Sequence, residues 1–278
     1  MPFRGTLAVA SGRLTRGQLR GPRFVRLFPD VYVPADVEIT PRVRALAAFL
    51  LVERCGGVVA GYSAAELLGA SCGPWHAPAE VLVPGHVRAR AGLLVRRGTA
   101  AGPDVTTAAG CLATSARRTA RDLARRLDLR EAVVAVDALA HRHRFDPAGI
   151  VAGPAADRVA RVVALADRLA ESPMETRLRL ALHFGGLPAP QAQYRLVDRD
   201  GVVARFDLAY PAERLTVEYD GEDHEDALDR RRDIRAGRLG WYTARFTKHE
   251  IRQETALVAA VRDLLHHRRN RDATAAGS

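Results

Sequence analysis

Three acidic residues are spaced so that neighbouring strands would gather them. Asp207 lies in Arg205-Phe206-Asp207-Leu208-Ala209, and Glu218 and Asp220 lie in Leu215-Thr216-Val217-Glu218-Tyr219-Asp220-Gly221. Both stretches read as short β-strands, joined by a turn through residues 210–214 where Pro211 breaks regular structure. Side chains alternate along a strand. Phe206 and Leu208 are therefore expected on one face with Asp207 on the other. Leu215, Val217 and Tyr219 likewise oppose Thr216, Glu218 and Asp220. Pairing the apolar faces gathers Asp207, Glu218 and Asp220 on one side. Like charges across a strand pair repel, so such a cluster asks for a cation; the competing reading is the solvated face of an antiparallel sheet. His224, just past Gly221, adds a group whose near-neutral pKa suits proton transfer or phosphate polarisation.

Asp207, Glu218-Tyr219-Asp220-Gly221 and His224 resemble the core of a PD-(D/E)XK nuclease, and within that group the domain family related to very-short-patch-repair endonucleases. Upstream, Ser172-Pro173-Met174-Glu175 opens a helix ending near Gly185-Gly186, as in the family's first helix. Downstream, Arg232-Asp233 and Gly240 to Thr247 resemble its later helix and fourth strand. The resemblance covers roughly the last third of the chain. It implies a restriction-endonuclease-like α/β domain with a mixed central sheet, and Mg²⁺ (or Mn²⁺) held by Asp207 and Glu218 with Glu175 reaching the same site. Phosphodiester hydrolysis needs an activated water, charge neutralisation on the phosphate and help for the leaving oxygen, all of which hard divalent cations supply. The family pattern has a lysine where Asp220 stands, and Lys248 is the only lysine in the chain. Members of the very-short-patch type manage without that lysine and use histidine.

Arg230, Arg231, Arg232 and Arg235 crowd the helix after the site. They can bind a phosphate backbone or pair with acids including Asp229 and Asp233. The expectation is a split role, with Arg232 structural and Arg230, Arg231 and Arg235 facing solvent or DNA. Ser172 and Glu175 also match a capping box, in which Glu175 accepts the Ser172 N–H.

Formal net charge is +10, and all but one of the 42 basic residues are arginine. The guanidinium fork suits phosphate, although an Ala- and Arg-rich composition also arises from GC-rich coding. No run is long and apolar enough to span a bilayer, and Met1-Pro2-Phe3-Arg4-Gly5 is not a signal-peptide pattern. Cys55, Cys72 and Cys111 form neither a disulfide framework nor a zinc pattern. A cytoplasmic protein without a membrane partner is expected.

The remaining elements must position these groups. A short helix over Leu14 to Arg20 with Thr15 near its N-cap, then a hairpin around Pro29-Asp30, resembles the winged-helix module that opens abortive-infection-type antitoxin proteins. Arg16, Arg20, Arg23 and Arg26 would lie on or near its DNA-facing surface, the alternative being a solvated basic face. A helix follows from Pro41 to Glu53. Another is expected near Gly61 to Gly69, with Ser63 as N-cap and Glu66 as its capping-box partner. Strands are expected at Glu80 to Val83 and Leu93 to Arg97 around a Pro84-Gly85 turn, and a helix from Leu129 to His141. The expected organisation is an α+β region with a winged-helix-like module over 1–155, a connecting helix over 156–171, the nuclease-like domain over 172–268 and a disordered tail over 269–278. Three functions are in play: a Mg²⁺-dependent DNA endonuclease serving repair or phage defence, a non-catalytic DNA-binding regulator or antitoxin, and a toxin–antitoxin or defence component that acts only with a protein partner.

Overall fold

The computed structural model describes residues 1–151, 155–198, 201–221 and 227–276, with backbone alone at 202–203, 227–230 and 272–276. The chain forms two compact units, residues 1–168 and 169–278, each of mixed α/β architecture around mixed sheets.

The first unit begins with β1 (Phe3–Arg4), α1 (Gly5–Ala10), α2 (Arg16–Arg20), β2 (Phe24–Phe28) and β3 (Val31–Pro34). The strands form an antiparallel sheet in the order β1-β3-β2. Thr15 and Gln18 cap α2 reciprocally, as expected from Thr15. In the β2–β3 turn Asp30 has φ +62. Its carboxylate accepts the Thr6 N–H at 2.7 Å and the Thr6 hydroxyl at 2.6 Å, which fixes the start of α1.

Next come α3 (Pro41–Val52), β4 (Val58–Val59), α4 (Gly61–Leu67), β5 (Ala79–Val83), β6 (Leu93–Arg97), β7 (Val105–Ala108) and β8 (Cys111–Thr114). The second sheet runs β6-β5-β4-β8-β7. β5 and β6 fall where the sequence places them but pair in parallel, so residues 84–92 form a crossover rather than a hairpin turn. The expected Ser63 cap is corrected. Helix α4 starts at Gly61 behind Ala60, and the Ser63 hydroxyl instead accepts the Glu80 N–H at 2.9 Å. A buried strand donor outcompetes a local cap here.

Glu80 is 4% exposed on β5, and its carboxylate meets Arg96 at 3.1 Å and Arg126 at 2.9 Å. Gly61 permits this. Its φ is +54, and a Cβ there would stand 1.9 Å from Glu80 Oε2. Gly61→Ala is expected to cost on the order of 3 kcal/mol, because it adds left-handed backbone strain and displaces a buried carboxylate from its arginines. Urea unfolding of the variant beside wild type measures it; equal stability would mean that Glu80 moves without penalty.

The unit closes with α5 (Ala116–Ala124), α6 (Leu129–His143) and α7 (Ala156–Leu165). Buried Asp137 on α6 accepts the Asp167 N–H at 2.7 Å, and His141 Nδ1 lies 3.1 Å from the Arg168 carbonyl. These bonds tie residues 167–168 to α6; a connecting helix was expected over 156–171, and α7 ends at Leu165.

The second unit comprises α8 (Pro173–Phe184), β9 (Gln191–Asp198), β10 (Gly201–Tyr210), β11 (Leu215–Asp220), α9 (Ala227–Arg238), β12 (Tyr242–Thr247), α10 (Lys248–Arg252) and α11 (Glu254–Ala276). Its sheet order is β12-β11-β10-β9, antiparallel except for the β11–β12 pair, which α9 connects. The apolar core joins Leu178 and Leu182 of α8, Leu208, Val217 and Phe246 of the sheet, and Val261 of α11. Helix α11 continues through 269–276, which corrects the expected disordered tail. Its Ala-rich end propagates a helix already nucleated by buried Leu257, Val261 and Leu265.

A second correction concerns Phe206 and Leu208, expected on one face. Leu208 enters the core with α8, whereas Phe206 packs in a separate cluster with Leu196, Ala204 and Ala236 of α9, beside Trp241. Their partners on β9, Ala192 and Tyr194, divide in the same way. Alternation fails between these rungs, where Asp207 and Gln193 stand and Gln193 has φ +50.

Candidate active site

Three acidic side chains converge from three elements. The β10–β11 ladder runs to Leu208 opposite Val217, and Asp207 and Glu218 are the neighbouring residues just beyond that end. Glu175 arrives from the first turn of α8. Both Glu175 and Glu218 are buried, at 8% and 5% exposure, and Asp207 is half-buried.

Burial and the neighbouring charges of Glu175 and Glu218 raise the Asp207 pKa to about 7, against a weaker downward pull from the Tyr219 backbone hydrogen bond and Arg232. At neutral pH this carboxyl is poised between its two protonation states. Arg205, paired with Glu171, adds a positive charge that interacts with both Asp207 and Glu175.

Glu175 is held differently from the expected capping box. The Glu175 N–H donates to Ser172 Oγ at 3.1 Å, which is the N-cap half of the motif. Its carboxylate accepts the Glu171 N–H at 2.9 Å and the Gln193 side-chain amide at 3.0 Å. Gln193 reaches it from left-handed backbone on β9. Such conformations cost energy in a non-glycine residue and persist where the surroundings over-determine them.

Glu218 has arginine partners. Arg232 of α9 donates to its Oε2 at 2.8 Å, and Arg245 of β12 approaches the same oxygen at 3.4 Å. Asp233 joins both arginines, at 2.7 Å from Arg245 and 3.6 Å from Arg232 Nε. The Arg232 guanidinium also lies over the Phe206 ring, 5.4 Å from its centroid.

Asp220 ends β11, half-buried and paired in register with Thr247, and is not among the charges that shift Asp207. His224 lies outside the described residues. On α9, Arg231 is exposed, and Arg230 is placed by its backbone alone. Arg235, expected to face solvent or DNA, keeps 40% of its side chain exposed while a bidentate pair with Asp198 of β9, at 3.0 and 2.8 Å, ties it to the sheet. Arg232, expected in a structural role, is the arginine that holds Glu218 at 2.8 Å. Arg16, Arg20, Arg23 and Arg26 of the first unit are all exposed. Lys248 opens α10, exposed to solvent.

Hard carboxylate oxygens suit a divalent cation. Asp207 and Glu175 carry such oxygens, and those of Glu218 are held by Arg232 and Arg245. Among the described residues, no group of three or more His, Cys, Asp and Glu side chains is arranged to hold a metal ion. Sequence reasoning misses Gln193 and Arg245, since neither type signals a site inside a strand and both reach it only through strand register.

No family model matches the chain, and no solved structure does. Uncharacterized proteins of Mycobacterium tuberculosis strains CDC 1551 / Oshkosh and ATCC 25618 / H37Rv are each 29% identical to it over 262 residues. Each match takes in 87% of this chain and 92% of the relative, so it spans both units. Among the described residues no helix is long and apolar enough to cross a membrane.

Proposed function

We propose that the second unit is a restriction-endonuclease-like DNA endonuclease domain that depends on Mg²⁺ or Mn²⁺. The single observation that supports this reading is that Glu175, Asp207 and Glu218, from three elements, lie close enough for both glutamates to act on Asp207. A bound divalent cation would supply an activated water and neutralise charge on the phosphate. Asp207 and Glu175 would hold it, with Glu218 completing the set. Gln193 orients Glu175 by its amide hydrogen bond. The test is incubation of the purified protein with varied nucleic acids in Mg²⁺, Mn²⁺ or EDTA. Cleavage that persists in EDTA would refute the reading.

A second reading, a non-catalytic DNA-binding regulator, is favoured by the two arginines on Glu218 and by Asp220 where the family pattern has lysine. It predicts DNA binding without cleavage under every metal condition.

Both readings give the first unit a winged-helix-like role on DNA, through Arg16, Arg20, Arg23 and Arg26. Replacing all four by Gln in the full chain is expected to weaken duplex binding and to flatten its salt dependence. The slope of log K against log salt falls by roughly 0.9 for each phosphate that is no longer neutralised. Fluorescence anisotropy across a salt series checks this; an unchanged slope would mean that these arginines only solvate the surface.

A further inference from the structure

We propose that the edge strand β12 and the adjoining face of α11 form a two-fold interface, on which a second copy of this chain pairs its own β12 in antiparallel fashion. The inference concerns assembly and stands apart from the nuclease reading.

The two edges of the second unit's sheet, β9 and β12, differ. β9 is guarded against strand addition. Gln193 has φ +50, the β9–β10 register shifts between Val202 and Ala204, and Arg195 puts an exposed charge on the strand. β12 carries no such device. It runs in unbroken register with β11 from Tyr242 to Thr247, without glycine or proline. Beside it lies an open groove of about 540 Å³, lined by residues 242–246 and by Ala260, Asp263, Leu264 and His267 of α11.

Backbone geometry fixes the register. The Tyr242 N–H donates to the Arg214 carbonyl, so Tyr242 is directed at the β11 side. Backbone groups alternate edges along a strand, and Thr243 and Arg245 therefore direct theirs outward. Centring the pair on Arg245 opposes like charges and needs the Thr247 N–H, which already donates to Glu250 at 2.8 Å. Centring it on Thr243 needs the Trp241 N–H, which donates to the Ala236 carbonyl at 3.1 Å. Centring it on Ala244 needs neither. Thr243 then faces the copy's Arg245 on either side of the axis, and half-exposed Tyr242 meets the copy's Phe246, an aromatic cross-strand pair.

A two-fold contact sets each patch against its own copy. This patch is self-complementary in charge. Exposed Asp263 and His267 stand about one turn apart on α11, so the acid of one copy meets the imidazole of the other. A foreign strand of single charge sign finds no such match. Closure consumes both β12 edges, and the guarded β9 edges stop growth into a filament.

The test is sedimentation equilibrium of the full chain over a concentration series. A reversible dimer with a dissociation constant of about 10 μM is expected, as for a small interface. Thr243→Pro removes one outward donor from each copy and should weaken the dimer at least about tenfold. Asp263→Arg should also weaken it by giving the patch a single sign, and adding His267→Glu to that variant should restore it. Val197→Lys on β9 should leave the dimer as in wild type. If Thr243→Pro does not fold, Asp263→Arg and its charge-swapped double variant decide alone. A chain that stays monomeric at about 100 μM overturns the proposal and leaves β12 to a foreign strand. A dimer that survives both Thr243→Pro and Asp263→Arg overturns it as well.

Discussion

Asp207→Asn is expected to make the protein more stable above neutral pH and, if the proposed nuclease reading holds, to cut cleavage sharply. In the folded chain Asp207 keeps its proton until about pH 7, against an ordinary value of 3.8. Between these values the folded state binds more protons than the unfolded state. Stability therefore falls as the pH rises from about 4 to 7, and the full penalty is present above 7. A displacement of that size corresponds to roughly 4 kcal/mol at most. Partial exposure and local relaxation bring the expected gain for Asn to on the order of 2 kcal/mol at pH 8, several degrees of melting temperature. At pH 4 the gap should close, because both side chains are then neutral. Cleavage should drop at least about a hundredfold, since the variant lacks the charged ligand. Thermal melts at pH 4 and 8, run beside a cleavage assay, measure both arms. A variant less stable than wild type at pH 8 would contradict the charge-cluster account.

Glu175→Gln separates a capping role from a cation-supporting one. The Ser172 hydroxyl caps the backbone N–H of residue 175, a bond the substitution leaves in place. A glutamine oxygen can still accept the Glu171 N–H, so stability should change by no more than about 1 kcal/mol. Removing this charge eliminates one of the influences that raise Asp207, so the Asp207 pKa should move down. Weakening the cation site by about 3 kcal/mol would slow turnover roughly a hundredfold. The readouts are cleavage rate, melting temperature and the pH dependence of stability. An unchanged rate, with the pH dependence also unchanged, would leave Glu175 as a purely structural residue.

The parts of this site readable from sequence are those encoded locally. The two strands and the Pro211 break between them suffice to bring Asp207 and Glu218 to the same end of one strand pair, and Ser172-Pro173 marks the helix that presents Glu175. The alternation rule nevertheless fails at Phe206, because Gln193 and Asp207 stand where the two strands change the face they present. A glutamine in left-handed backbone has no sequence signature. Arg245 reaches Glu218 because β12 pairs in parallel with β11, and that register depends on the intervening helix. Ser63 shows the same limit in the first unit, where a perfect local motif yields to a strand donor 17 positions away.

The parallel β11–β12 pair also sets an order of assembly. Antiparallel β10 and β11 are joined by a short turn and can pair early, bringing Asp207 and Glu218 together. Arg232 and Arg245 follow 14 and 27 residues after Glu218, and β12 docks only once α9 has closed a much longer loop. The acidic hairpin can thus form before its arginines arrive. Its burial is electrostatically opposed until the crossover completes, so the final strand-docking step should be slowed at high pH and relieved by cations.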